Sequence, residues 1–269
     1  MSFDSSPILR QKPTLDREAL RDVIDLSLWA GQLLLQHGAE SARIEETVHR
    51  LGTGLGANWM DVLVSPNAIA VTTVSGDEFR TKIRRVVAIG VNLRIIDEVN
   101  TVSRWVQTGG LDRFQVRKAF ERIDHLPRQY DRRVVVLMVG LACAAFSRLF
   151  GGDWPVFFIT FLASATAMWI RQQLMKRYFN SLLVVIVVAF VSGLIASLAT
   201  RLELSPHPQI ALIAAPLLLV PGVHLINAAE DLIKGHLVTG IVRGFTGGLV
   251  TLGIAIGLGL AMRLMGVWI

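Results

Sequence analysis

Cysteine is almost missing from this chain: Cys143 is the single one in 269 residues, so no intrachain disulfide can form. It lies in an apolar run and reads as a small buried residue rather than a nucleophile or ligand. Paired Cys/His spacings, HExxH and EF-hand loops are also absent, so the sequence predicts no metal site and no cofactor. It has no GxxxxGK[ST] loop and no GxGxxG after a strand, which excludes a nucleotide-driven motor within the chain. Charge is scarce, at 18% of residues against about 25% in soluble domains. Hydrophobic residues make up 52%, with a mean hydropathy of +0.50. That balance points to an integral membrane protein. The net charge of +6 suits the basic loops of such a protein, and no nucleic-acid partner is expected. The opening MSFDSSPILRQKPTLD has no apolar h-region, which predicts no cleavable leader.

The little charge present is unevenly placed. Residues 1–133 hold 19 Lys+Arg and 17 Asp+Glu, whereas 134–269 hold 8 and 4. The expected fold is therefore an α-helical polytopic membrane protein with an N-terminal cytosolic α+β domain. Residues 1–13, with Pro7 and Pro13, read as a flexible tail; 14–127 form the cytosolic domain and 128–269 the transmembrane domain. Within the first domain, Leu15 to Gln36 alternates as an amphipathic helix, and His37-Gly38 ends it. Ser41 is a candidate cap for a second helix. WMDVLVS, NAIAVTTV and EFRTKIRR then change the period to two and predict two or three antiparallel strands, the last placing Arg80, Lys82 and Arg84 on one face. Two more helices are expected, at about 91–108 and 111–125.

Apolar spans are expected near 134–150, 154–170, 181–200, 210–229 and 244–264. Arg128, Arg132, Arg133, Arg171, Lys176, Arg177, Lys234 and Arg243 flank them on one side. Arg148, Arg201 and Arg263 lie on the other. The positive-inside rule then sets the N-terminus in the cytoplasm and the C-terminus outside. In the last span, Gly244 with Gly248 and Gly253 with Gly257 permit close helix approach. Intramolecular packing is the favoured reading; a subunit contact, giving a homo-oligomer, is the alternative.

Polar residues inside such spans point to function, because hydrocarbon offers them no partner. LLLVPGVHLINAAEDLIKGH carries Pro221-Gly222, which kinks or interrupts the helix. Asn227, Glu230 and Asp231 then share one helix face, with His236 and Arg243 further along. These groups can coordinate a cation, relay a proton or hold a substrate ammonium, or simply solvate a helix end. Ser164 lies in the small-residue stripe ASATA, and Arg171 after it suits a carboxylate or anchors a helix end. HGAESARIEE gathers His37, Gly38, Glu40, Ser41, Arg43 and Glu45 at a corner between helices. Capping and surface ion pairs are the simpler account of it. No catalytic residue is expected, since no nucleophile elbow accompanies the His/Glu group.

Together GAESARIEETVHRLG, SPNAIAVTT, ITFLASATAMWIRQ and LLLVPGVHLINAAEDLIKGHLVTGIVR resemble the threonine/serine exporter family of bacterial inner-membrane transporters. The likeness runs from about Leu20 to Gly266. It is nearest to the larger chain of the two-chain version, associated with succinate export in enterobacteria. The resemblance implies a non-enzymatic exporter subunit in the inner membrane, a small carboxylate substrate and a small hydrophobic membrane partner. It also adds weight to Asn67, beside Pro66, at a motif position. Threonine or serine is the alternative substrate. A membrane-anchored sensor or scaffold with a ligand-binding cytosolic domain is the alternative of another class.

Overall fold

The computed structural model describes residues 14–86, 90–127, 129–177 and 179–267. The tail expected over 1–13, and Arg128 among the basic flanks, lie outside the described residues. The fold is mostly helical with one small sheet, and the chain divides into two compact units. One unit comprises the residues up to Pro127 together with Val223–Gly244; the other comprises Arg128–Gly222 and Phe245–Ile269.

In the first unit, α1 (Arg17–Gln36) starts where the Ala19 amide donates to Asp16 Oδ1 at 2.6 Å. It stops at His37, after which Gly38 takes φ +86°, a left-handed conformation that a Cβ disfavours. Next come α2 (Ser41–Gly54) and the strands β1 (Trp59–Ser65), β2 (Ala68–Ser75) and β3 (Glu78–Arg85). These pair antiparallel in the order β1-β2-β3, with Val62 opposite Val71 and Val71 opposite Lys82. Met60, Val64, Ile69 and Val71 are buried on the inner face with α1 and α2 residues such as Ile24, Leu28 and Val48. The third strand's basic residues share that side: Lys82 Nζ bonds Asp25 Oδ1, and Arg84 Nη1 donates to Gln32 Oε1 at 3.0 Å. Helices α3 (Leu93–Gln107) and α4 (Arg113–Asp124) complete the core, α4 opened by a capping box between Asp112 and Gln115. Phe120 from α4 packs edge-on against Trp29 of α1, with ring centroids 5.8 Å apart.

The second unit holds α5 (Arg132–Leu149), α6 (Trp154–Lys176), α7 (Ser181–Arg201) and α8 (Gln209–Ala214). A 3-10 turn over Ala215–Leu219 follows α8; helix resumes as α9 (Gly222–Ile233), which with the start of α10 (Leu237–Met265) counts with the first unit, the rest of α10 returning to the second. Val220 is extended at φ −57°, ψ 125°, so the helical chain is interrupted before Pro221. Among the described residues, α6, α7 and α10 are long and apolar enough to cross a membrane. The broken pair Gln209–Leu219 and Gly222–Ile233 makes a fourth candidate when taken as one span. The first expected span corresponds to α5, whose 18 residues include Arg132, Arg133 and Arg148. Those charges keep it out of the apolar set.

Small residues do the packing in this unit. A Cβ built on Gly257 would lie 2.5 Å from the Ile186 carbonyl oxygen and 2.8 Å from Ala189 Cβ, so α10 touches the backbone of α7 there. Gly253 meets Leu182 and Ile186 of the same helix, whereas Gly248 has open space. Gly244 meets Ala228 Cβ at 3.7 Å, so three of the four patterned glycines pack within the chain.

Candidate functional site

Four consecutive carbonyls run round the corner from Gln36 to Ala39, past the end of α1, where no helix continues to bond them. Each accepts from another segment. Gly90 N donates to Gln36 O at 2.7 Å and Asn92 N to His37 O at 3.1 Å. Asn227 Nδ2 of α9 donates to Gly38 O at 2.7 Å, and Arg243 Nη2 of α10 to Ala39 O at 2.8 Å. Buried main-chain oxygens must be paired, and here the pairing ties the corner to residues some two hundred positions later.

Asp231 is the centre of the group. It has zero exposure, and both its oxygens are used. Oδ1 accepts from the Ser41 amide at 2.9 Å, and Oδ2 accepts from Arg243 Nη1 at 2.8 Å. Ser41 is the first residue of α2, and the preceding Glu40 makes no side-chain cap. Asp231 therefore caps α2 from 190 residues away, satisfying an orphan amide and placing negative charge at the positive end of the helix dipole. The expectation that Ser41 would cap through its own hydroxyl is corrected. Ser41 sits one position too late, its amide is the group being capped, and its Oγ is buried without a partner.

Around this core lies a partly wet rim. Glu40 Oε1 receives Arg43 Nε at 3.3 Å and Lys234 Nζ at 3.5 Å, and Lys234 also pairs Glu230 at 2.6 Å. His236 Nδ1 stands 3.6 Å from Glu45 Oε1. Burial pushes the Glu45 carboxyl above its ordinary range, His236 pulls it back, and the negative Asp231 adds to the rise. Burial also holds the His37 imidazole below its ordinary value, with the Asp124 charge opposing. Of the residues expected from sequence, Gly38, Glu40, Ser41, Arg43, Asn227, Asp231, His236 and Arg243 are thus gathered in one cluster. Asn67 is not among them: it is exposed in the β1–β2 turn, where its carbonyl accepts from Val86 N at 2.7 Å.

Ser164 and Arg171 belong to the second unit and serve the interrupted helix. Ser164 Oγ shares its proton between Thr160 O of its own helix at 2.8 Å and Ala215 O at 3.2 Å, and Arg171 Nη1 donates to Leu218 O at 3.3 Å. The Ala215 and Leu218 carbonyls lie in the 3-10 turn before Pro221-Gly222, where regular bonding lapses. Beside Arg171, a cavity of about 630 Å³ opens between α5 and α6, lined by Tyr130, Arg132, Val135, Met168, Arg171, Gln172, Met175 and Lys176. Three of these are cations and none is an acid. Gln172 is fixed at its wall by donating to Arg132 O at 3.1 Å. Sequence reasoning picked out Arg171, but named Arg132 and Lys176 only as interfacial charges. Their joint presence on one cavity depends on α5 lying against α6. Among the described residues, no group of three His, Cys, Asp or Glu side chains is placed to hold a metal ion.

Apolar spans and an interrupted helix whose carbonyls are met by polar side chains mark a membrane protein with polar groups at span depth, a feature that transport proteins share. The chain belongs to the threonine/serine exporter family: residues 25–265 match the family model ThrE, described as "Putative threonine/serine exporter". It is 40% identical over 252 residues to a protein of Klebsiella aerogenes named "Probable succinate transporter subunit YjjP", covering 93% of this chain and 97% of that one. The protein of the same name from Escherichia coli K12 is 39% identical over 253 residues, covering 94% and 98%. A "Threonine/serine exporter" of Corynebacterium glutamicum is 24% identical over 256 residues, covering 93% of this chain and 52% of that protein. No solved structure matches the chain.

Proposed function

We propose that this chain is one subunit of a bacterial inner-membrane secondary exporter of small dicarboxylates, with succinate as the leading substrate and a small hydrophobic membrane protein as its partner. The observation that carries the reading is the cavity between α5 and α6. Arg132, Arg171 and Lys176 line it with no carboxylate among the described residues, a charge pattern that favours a dianion over a zwitterionic amino acid. The relatives named as succinate transporter subunits support it, and the word subunit in those names supports a partner. The carboxylate contact is placed at Arg171 rather than Arg243, because the Arg243 guanidinium is already bonded to Asp231 and Ala39. His236 with Glu45 is the candidate proton-handling pair. Five crossings, counting α5 and the broken pair, leave the N-terminus and residues 14–127 in the cytoplasm, the C-terminus outside and the cavity at the inner boundary. Residues 14–127 then act as a gate or docking platform.

The test is efflux from cells preloaded with labelled succinate, threonine or serine, carrying this chain with and without its small partner. Succinate efflux is expected only with both. Arg171→Ala is expected to lower it at least tenfold at equal membrane abundance, with Arg171→Lys recovering part. Efflux of threonine or serine but not succinate would overturn the dicarboxylate assignment.

A further inference from the structure

Antiparallel sheets with one covered face usually alternate apolar inward and polar outward. β3 reverses that order. Its Arg80, Lys82 and Arg84 share the side of α1, while Phe79 and Ile83 point away and are each 72% exposed. β1 adds Trp59 at 51% and Leu63 at 68% to the same outer face. The register sets these side chains in two rows across the sheet. Trp59, Val74 and Phe79 form one row and Leu63, Ala70 and Ile83 the other, with Asp61, Thr72 and Thr81 between them.

Three polar side chains of the face's middle row are partly satisfied within the face. Thr72 and Thr81 hydroxyls bond each other at 2.8 Å, and Trp59 Nε1 donates to Asp61 Oδ1 at 2.7 Å. Covering these rows would leave chiefly the second oxygen of Asp61 for the covering surface to meet. Between Trp59 and Ile83 the face has the character of the inner surface of a sandwich, and the exposed Arg85 lies at its end beside Ala68.

We infer that the outer face of β1-β2-β3 is a docking surface for the same face of a second copy of this chain, the two sheets packing about a two-fold axis along β2. That arrangement makes the face complementary to itself. A two-fold axis along β2 lays β1 of one copy over β3 of the other. Trp59 then meets Phe79 of the second copy, Leu63 meets Ile83, and Asp61 meets Thr81. Ala70 falls on the axis, where its small side chain lets the two β2 strands approach. An axis across the strands through the middle row would instead set Asp61 against Asp61, a like-charge contact. Isologous contacts of this kind are the commonest in soluble oligomers. The area is also sufficient. At the observed exposures, the four large side chains offer roughly 500 Å² per copy, given the usual areas of such side chains. Two copies reach the total of about 1,000 Å² that a specific interface needs.

The test uses the full chain co-produced with its small partner. In a Cys143→Ala background, Thr72→Cys supplies a single thiol beside the axis. A short bis-maleimide is expected to convert most of the chain in membranes to a dimer-sized band. Adding Leu63→Glu and Ile83→Glu is expected to cut that band at least tenfold, without changing the amount in the membrane or its melting temperature. Light scattering in detergent should move from two copies to one with the same pair. A cross-link from Thr72→Cys to the small partner, a copy number of one for the unmutated chain, or a dimer that survives both glutamates would each overturn the inference. So would loss of binding to anionic vesicles, with the copy number unchanged, on introducing the glutamates.

Discussion

Arg243 is only 13% exposed at its side chain, and Asp231 beside it is fully buried. Such a pair is costly to halve, because the surviving partner keeps a buried charge without compensation. Asp231→Ala and Arg243→Ala are each expected to lower stability by about 3–5 kcal/mol, while the double variant loses less than the sum. Thermal melts of the four proteins in one detergent measure the coupling; additive losses would show that the two side chains act independently. Glu45 gives a pH prediction of definite sign. Its carboxyl lies above the ordinary value of 4.5, so folding favours its protonated form. The associated stability is present below pH 4.5 and is lost as pH rises through the higher folded value. Glu45→Gln, which cannot ionise, is therefore expected to gain in melting temperature over the parent as pH rises through that window. A difference that stays flat with pH would remove the buried carboxyl as its cause.

Helices show what periodicity can and cannot reveal. Expected at 91–108 and 111–125, α3 and α4 span Leu93–Gln107 and Arg113–Asp124, since apolar spacing and turn residues are local signals. The strands likewise announce themselves through alternation. Alternation does not say which side is the core, and in β3 the charged side lies with α1 because Asp25 and Gln32 supply partners there. The interruption at Pro221-Gly222 was legible from the missing amide. The 3-10 turn ahead of it, and its carbonyl bonds from Ser164 and Arg171, were not, because they depend on the neighbouring helix. Glycine spacing in α10 marked a contact without naming its partner, which proves to be α7. Gly257→Ala would force Cβ against the Ile186 carbonyl and is expected to cost about 1–3 kcal/mol. The same change at Gly248, which meets nothing within 4 Å, should leave the melt unchanged. Equal losses at the two sites would place the α7 contact elsewhere.

For the whole molecule, the proposed function divides the tasks of a transporter between the two clusters of polar residues. The cationic cavity between α5 and α6 suits the solute, and the bonded group around Asp231 suits the stability and setting of the corner before α2. If that division holds, Arg171→Ala should depress efflux strongly, with only the modest loss of melting temperature that freeing the Leu218 carbonyl brings. Asp231→Ala should move both, so comparing the two ratios separates the roles. Composition and charge distribution made the membrane class readable from sequence, and the motifs made the family readable. The corner's dependence on Asn227, Asp231 and Arg243 was not readable, because no local pattern records a bond spanning 190 residues.

That span has a consequence in time. A ribosome adding roughly 5–20 residues per second needs about ten to forty seconds to travel from Ser41 to Asp231, a separation of 190 residues. Throughout that interval the leading amides of α2 have no cap from Asp231, and the carbonyls of Gly38 and Ala39 lack the side chains that later bond them. The first helices made are among the last to be finished. A nascent chain halted near residue 200 should therefore be cut by protease around residues 36–43, and the cutting should cease once α10 has emerged.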